Sequence, residues 1–446
     1  MKKLIQKATI LIAFSTPLLI YAQTNKAYEM NINDVKVIVQ PSGNEIVVVQ
    51  TIIKGGVQNY SADKAGIESL AMTGLTECGT MKDDKNSFKN KLDKISAQVY
   101  GNTGMDFSTF SLNCIKGDFE TAWPLYTDAM ISPRFDAKEF SRIKQDAINI
   151  IRAGESNPDN AVNKMARQTA FAGKNYAKEP QGTVETVTKL TPEETKKYWQ
   201  SVFTKSKMVI VVVGDVDKSI IENKIKEFLS KVPAGSPFKL KEESYSPSAN
   251  TFSPKERENA TNYIQGTTGA PLPGTPDYNA FVLAMRIFST RHFIEVRSKN
   301  GLSYAPGSWF SQGKTPYANF FVTTTQPDKY IAVARNLIDE VKKDGFTEGE
   351  LKNEKTGYLT GLYYRQETNE EQAAALATNE VVHNNWKRAI EIKDDINKVT
   401  LQDANNAFKK YITNITWVYQ GDPKKVNSKL YVQKETPPIP ADKKAF

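Results

Sequence analysis

Apolar positions along the chain recur with two periods, and their alternation lays out the elements. Runs rich in β-branched residues near 35–39 and 46–53 read as strands. A helical pattern opens at Gly66 and another at Ser87, and a strand pair follows at 98–99 and 106–114. Spacing of three and four predicts helices over 118–130, 136–153, 159–170 and 192–202. The unbroken apolar run at 208–213 closes the set as a strand. Later, 331–345 keeps the helical period: Ala334, Leu337, Ile338 and Val341 share a stripe, and Gly345 suits the position just past a helix end. Strand pairs alternate with runs of helices. This mixture predicts an α+β class, with helices packed on one face of a mainly antiparallel sheet.

The pattern occurs twice. The strand at 208–213 runs into Gly214-Asp215, and a shorter one at 416–419 runs into Gly421-Asp422, an offset of 207. Leu190-Thr191 and Val399-Thr400 open matching helices at an offset of 209. Asp118 and Asp328 do so at 210, and Phe135-Asp136 and Phe346-Thr347 at 211. Four elements in one order at nearly one offset predict two homologous domains. Between them, Pro233, Gly235, Pro237, Pro247 and Pro254 stand among Ser, Lys and Glu. The expected division is a first domain over 23–234, a linker over 235–256, a second domain over 257–432 and a disordered tail over 433–446.

Residues 1–22 read as a secretory signal: Lys2, Lys3 and Lys7 precede an apolar run over 8–21, and Ala22 offers a small residue for cleavage. The run is short and broken by Thr9, Ser15, Thr16 and Pro17, so no membrane span is expected. Removing 22 residues that carry three lysines leaves 424 residues and lowers the net charge from +9 to +6. That excess is spread thinly. With no nucleic-acid motif behind it, nucleic acid is not an expected partner. The expectation is an exported, periplasmic protein.

Candidate chemistry is sparse. Two cysteines in 446 residues exclude a disulfide-built scaffold and any Cys-rich metal module. Cys78 and Cys114 are either bridged or two separate buried hydrophobes. There are two histidines. His292 and Glu295 form H-x-x-E without a second His, and are expected as a helix surface pair at i and i+3. His383, followed by Asn384, Asn385 and Trp386, is expected as a capping or surface residue. No G-x-S-x-G elbow and no P-loop occur.

The arrangement resembles the pitrilysin/insulinase family of metallopeptidases across nearly the whole mature chain. Gly66-Ile67-Glu68-Ser69-Leu70 through Gly79-Thr80 is similar to the family's first helix and its terminal Gly-Thr. Residues 140–158 resemble its long helix and the following turn, and Val211-Val212-Val213-Gly214-Asp215 its closing strand. Pro276-Asp277-Tyr278 leads to Arg297-Ser298-Lys299-Asn300-Gly301-Leu302-Ser303-Tyr304, which resembles the family's R-x-x-x-G-L-x-Y signature. The resemblance places the two zinc histidines and the general base of H-x-x-E-H at Ser69, Thr73 and Met72, and the third ligand at Asn149 or Ile150. Methionine cannot take a proton from water, and serine and threonine are not competent ligands here. No metal is expected on this chain.

What the resemblance implies is a substrate-binding role for Arg297 and Tyr304. A guanidinium fork and a phenol hydroxyl can both donate to a peptide carbonyl. The expected function is therefore a non-catalytic subunit of an exported two-chain zinc peptidase. A homologous partner would bring the zinc and the base, and this chain the peptide clamp. The competing expectation is a catalytically dead binding or scaffolding relative.

Overall fold

The computed structural model describes residues 26–440, so the signal segment at 1–22 and the last six residues of the expected tail lie outside the described residues. In the first half, β1 (Tyr28–Ile32), β2 (Val35–Gln40), β3 (Ile46–Lys54), β4 (Gln98–Thr103), β5 (Phe107–Ile115) and β6 (Met208–Val213) form one sheet. Its order is β1-β2-β6-β3-β5-β4, antiparallel except for β2 with β6. The helices are α1 (Ile67–Glu77), α2 (Lys85–Asp93), α3 (Phe119–Ile131), α4 (Ala137–Ser156), α5 (Pro158–Ala170), α6 (Val184–Lys189), α7 (Pro192–Val202) and α8 (Lys218–Ser230).

The second half repeats the plan without a counterpart of β1. Strands β7 (Thr251–Glu256), β8 (Asn262–Gly269), β9 (Gly307–Ser311), β10 (Tyr317–Thr324) and β11 (Thr416–Gly421) are ordered β7-β11-β8-β10-β9. Again one pair, β7 with β11, is parallel. The helices are α9 (Asp277–Phe293), α10 (Pro327–Asp344), α11 (Glu348–Tyr364), α12 (Asn369–His383), α13 (Arg388–Lys398), α14 (Leu401–Tyr411) and α15 (Lys429–Val432). Local chemistry repeats with the fold. Thr191 and Thr400 each build a reciprocal capping box, so α7 and α14 start at equivalent points.

The fold class is as the pattern predicts, and the packing adds a feature. Helices of each half cover one face of their own sheet. The opposite face takes a helix from the other half: α12 lies on β3 and β6, and α5 lies on β8 and β11. Leu376, Ala377 and Val381 of α12 join Ile38, Val48, Ile52, Val209 and Val211 in one buried cluster. Val162 and Ala166 of α5 pack with Val418 in the other. Both faces of each central strand are therefore covered, and every residue of β6 and of β11 is buried.

Three segments depart from the expected boundaries. The linker ends at residue 250, because 251–256 is the strand β7. Its remainder is held down by Gln58, which exchanges hydrogen bonds with the Lys241 backbone at 2.8 and 2.9 Å. The buried Tyr245 fixes it further, donating to Thr416 at 2.6 Å. The tail is corrected as well. As far as Pro437 it runs along α10, where Arg335 and Asn336 donate to the carbonyls of Lys434 and Pro437 at 3.0 Å. Proline-rich backbone is already extended, so fixing it costs little entropy. Helix α8, absent from the sequence reading, presents the buried stripe Ile221, Ile225, Phe228 and Leu229.

Candidate functional site

Helix α1 carries the positions that matter. It starts at Gly66, whose φ of 93° is left-handed and whose missing Cβ would meet Val187 at 2.8 Å. It then lies directly on β4: a Cβ on Gly101 would stand 2.8 Å from Met72 Cβ and 2.9 Å from the Met72 carbonyl oxygen. Met72 is buried in that contact, while Ser69 and Thr73, four residues apart on one helix face, are half-buried. Helix α4 packs beside α1, tied to its end by the Arg142–Glu77 ion pair at 2.6 Å. Ile150 on α4 is 60% exposed.

These groups are two neutral hydroxyls, a thioether and an alkyl chain. Zinc takes imidazole nitrogen, thiolate or carboxylate, and a hydrolytic site needs a base beside it. The residues present do not fit the ion. Among the described residues, no group of three or more His, Cys, Asp or Glu could hold a metal.

A carboxylate that the sequence reading passed over lies one residue away. Glu68 is buried and accepts hydrogen bonds from Ser108 and Tyr198, with the Asn59 amide at 3.4 Å. Burial pushes its pKa up, against the three hydrogen bonds and the charge of Lys207, which pull it down. It clamps α1 to β5 and α7. The signal was present: Glu68 shares the inward stripe of α1 with Met72 and Leu75.

Arg297 and Tyr304 are brought together. Helix α9 passes into a π-helical segment, Ile294–Lys299. The chain then turns at Gly301, with φ of 59°, and buried Leu302 donates its amide to the Val296 carbonyl at 2.9 Å. The guanidinium of Arg297 lies 4.1 Å from the Tyr304 ring centroid and 5.0 Å from that of Phe293. Glu295 is engaged by Lys299 at 2.8 Å and by Asn300. Tyr304 is 79% exposed. Next to it, the Ser303 hydroxyl is 3.5 Å from that of Thr323, which alternates along β10 with Phe321 on the face toward α5.

The histidines differ from expectation. His292 is not a surface partner of Glu295 but fully buried, 2.8 Å from the Ser308 hydroxyl and 3.3 Å from that of Tyr330. The core stripe here runs through Phe288, His292 and Val296, with Glu295 beside it, and the ring stacks on Phe288. Burial pulls its pKa down to about 4. His383 ends α12 half-buried, edge-on to Tyr278, and burial with Arg388 and Lys314 nearby pulls its pKa down to about 3. Cys78 and Cys114 are free, and burial pushes both thiols up to about 12.

Between the halves lies a cleft of about 590 Å3, bordered by Ile150 and the ends of α4 and α5 on one side and by Gln265, Trp309, Tyr317 and Asn319 on the other.

Comparison with known proteins agrees with this fold. The family model described as insulinase (peptidase family M16) matches residues 37–184, and that described as peptidase M16 inactive domain matches 189–358. The chain is 23% identical over 343 residues to the uncharacterized zinc protease YmxG of Bacillus subtilis, covering 75% of this chain and 83% of that protein. It is 22% identical over 360 residues to the non-peptidase homolog YmxG of Helicobacter pylori, covering 78% and 82%. Its fold matches the peptidase M16 inactive domain from Pseudomonas fluorescens with a TM-score of 0.79 at 18% identity, over 89% of this chain and 98% of that one. The periplasmic protease PqqL of Escherichia coli matches with a TM-score of 0.75 at 14% identity, over 94% of this chain and 49% of that one.

Proposed function

Because the chain belongs to the insulinase family of peptidases and holds Ser69, Met72 and Thr73 where the resemblance places the zinc histidines and the base, we propose that it serves as the substrate-binding subunit of an exported two-chain zinc metallopeptidase. In this reading a homologous partner supplies zinc and the general base. This chain supplies Arg297 and Tyr304, and the substrate is a peptide or an unfolded segment. One observation carries the reading: the positions that the resemblance assigns to the zinc site hold Ser69, Met72, Thr73 and Ile150, while Arg297 and Tyr304 are stacked, with the phenol open to solvent. A peptide clamp without a metal is of use to hydrolysis when a second chain brings one. Export rests on the sequence of residues 1–22.

Affinity capture of the native protein from envelope extract, followed by mass spectrometry, tests the pairing. The expected result is near-stoichiometric recovery of a homologous chain with an intact H-x-x-E-H motif. Recovery of no such chain, with the protein bound instead to unrelated envelope components, would favour the scaffolding alternative.

A further inference from the structure

A separate hollow lies wholly within the second half. Helices α9, α11 and α12 and the edge strand β9 border a groove of about 820 Å3, which runs into a recess of about 110 Å3 that also touches α13. Groove and recess share Gln312, Tyr358, Leu362 and Asn379 as walls, so they form one continuous space. Neither Arg297 nor Tyr304 lines it, nor does any position that the resemblance assigns to zinc.

His383 and Arg388 line the recess, both packed on Tyr278, at 4.9 and 5.5 Å from its ring centroid. Neither nitrogen of the His383 ring has a hydrogen-bond partner among the described residues. The Arg388 side chain is only 14% exposed, yet among the described residues its guanidinium donates to Asn279 alone. Its ion-pair partner Asp395 stands 3.7 Å away, beyond hydrogen-bond reach. A buried guanidinium with most of its N–H groups unpaired is costly, and an anion that accepts from it removes that cost. No carboxylate lines the recess. Lys314, with Glu242 at 3.9 Å, adds a second positive charge near His383. The carboxylates of the groove are already engaged: Glu354 by Arg286 at 3.0 Å, and Glu371 by the Thr368 cap. The inner end of the space therefore favours a negative charge.

Outward from that end the walls turn apolar or aromatic, with Tyr358, Leu362, Phe310 and Trp309 joined by Val282 and Met285 of α9. We propose that this space binds a small aromatic carboxylic acid as its anion, with the carboxylate between Arg388 and the His383 N–H and the ring against Tyr358, Leu362 and Phe310. A neutral imidazole donates from one nitrogen and a guanidinium from several, so both carboxylate oxygens are satisfied at once. The groove volume of about 820 Å3 is within the range of small-ligand sites. The site needs neither a partner chain nor a peptide and goes beyond the subunit reading. Its failure would leave that reading standing, and failure of the pairing experiment would leave the site standing.

The test is calorimetric titration of the isolated chain with hydrocinnamate, and with its neutral amide hydrocinnamamide as control. The expected result is saturable one-to-one binding of the acid, with the amide at least about tenfold weaker. Arg388→Gln should weaken the acid about tenfold or more. Leu362→Trp, at the half-exposed neck between groove and recess, should block entry while the melting temperature stays at the wild-type value. A second readout is magnetic resonance of the chain carrying isotope-labelled histidine. With only two histidines present, His292→Gln assigns both ring signals, and the acid should shift that of His383 and leave that of the buried His292 in place. Absence of saturable acid binding up to about 5 mM, an amide that binds as tightly as the acid, a folded Leu362→Trp chain that binds as the wild type does, or a shift of His292 in place of His383 would overturn the proposal.

Discussion

Ser69 and Thr73 stand about one turn apart on α1, facing the way two imidazoles would have to face to share an ion. Neither hydroxyl can replace a neutral nitrogen, and Met72 between them cannot hold or release a proton. Protein purified without a histidine tag should therefore carry well under one zinc per chain by elemental analysis. A full equivalent that survives mild chelation would contradict this. The histidines the chain does have act on stability. His292 and His383 stay neutral in the fold, their pKa values pulled down to about 4 and about 3, while in the unfolded chain they titrate near 6.5. Below that pH the unfolded state binds protons that the native state refuses. Their contribution is thus present above about pH 6.5 and is lost as pH falls toward 4 and then 3. Urea midpoints measured from pH 7.5 to 5 should fall, and His292→Gln should flatten the slope. A pH-independent midpoint over that range would refute the assignment.

At the scale of elements, the contact of α1 with β4 has no slack. Gly101→Ala would place a methyl group 2.8 Å from Met72 Cβ, so overpacking should cost about 1–3 kcal/mol, read as a lower urea midpoint. An unchanged midpoint would mean that the helix and strand can separate. The repeat of elements was legible because each copy keeps its start and stop signals, as Thr191 and Thr400 show. Pairing of Arg297 with Tyr304 was legible too, since Gly301 marks the turn between them. The crossed helices were not. The periodicity of α5 and α12 gives each an apolar face but does not say which sheet it meets. A clue lay in the strands: the unbroken apolar run of β6, and that of β3 broken only by Gln50 and Thr51, suit a sheet covered on both faces, whereas the reading assigned helices to one. The cleft was illegible for a related reason. Gln265 and Trp309 come together only across the second sheet, and Ile150 reaches them only when the halves dock.

The whole molecule is held closed by reciprocal contacts between its halves. Besides the exchanged helices, the β9–β10 hairpin seats on the first half. Asp106 accepts from the Lys314 amide at 2.8 Å and from the Tyr176 hydroxyl at 2.6 Å, and the Thr315 amide donates to Tyr176 at 3.1 Å. Gly313 makes room, since a Cβ there would be 2.7 Å from the Tyr176 hydroxyl. Asp106→Ala would strand two buried donors and should cost about 1–3 kcal/mol or more. Amide exchange should then accelerate in both α5 and α12; acceleration in one helix alone would mean that the halves are not coupled through this contact. A pre-docked chain of this kind presents Arg297 and Tyr304 on a fixed frame, as a subunit that orients substrate for another chain must do. The most direct test is cleavage of an unfolded peptide by this chain, by the captured homologous partner, and by the two mixed. The account predicts no cleavage by this chain, zinc-dependent cleavage by the mixture, and a lower rate when Arg297→Ala or Tyr304→Ala replaces the native chain, with both subunits folded. A partner that is fully active alone, or a mixture indifferent to both substitutions, would contradict it.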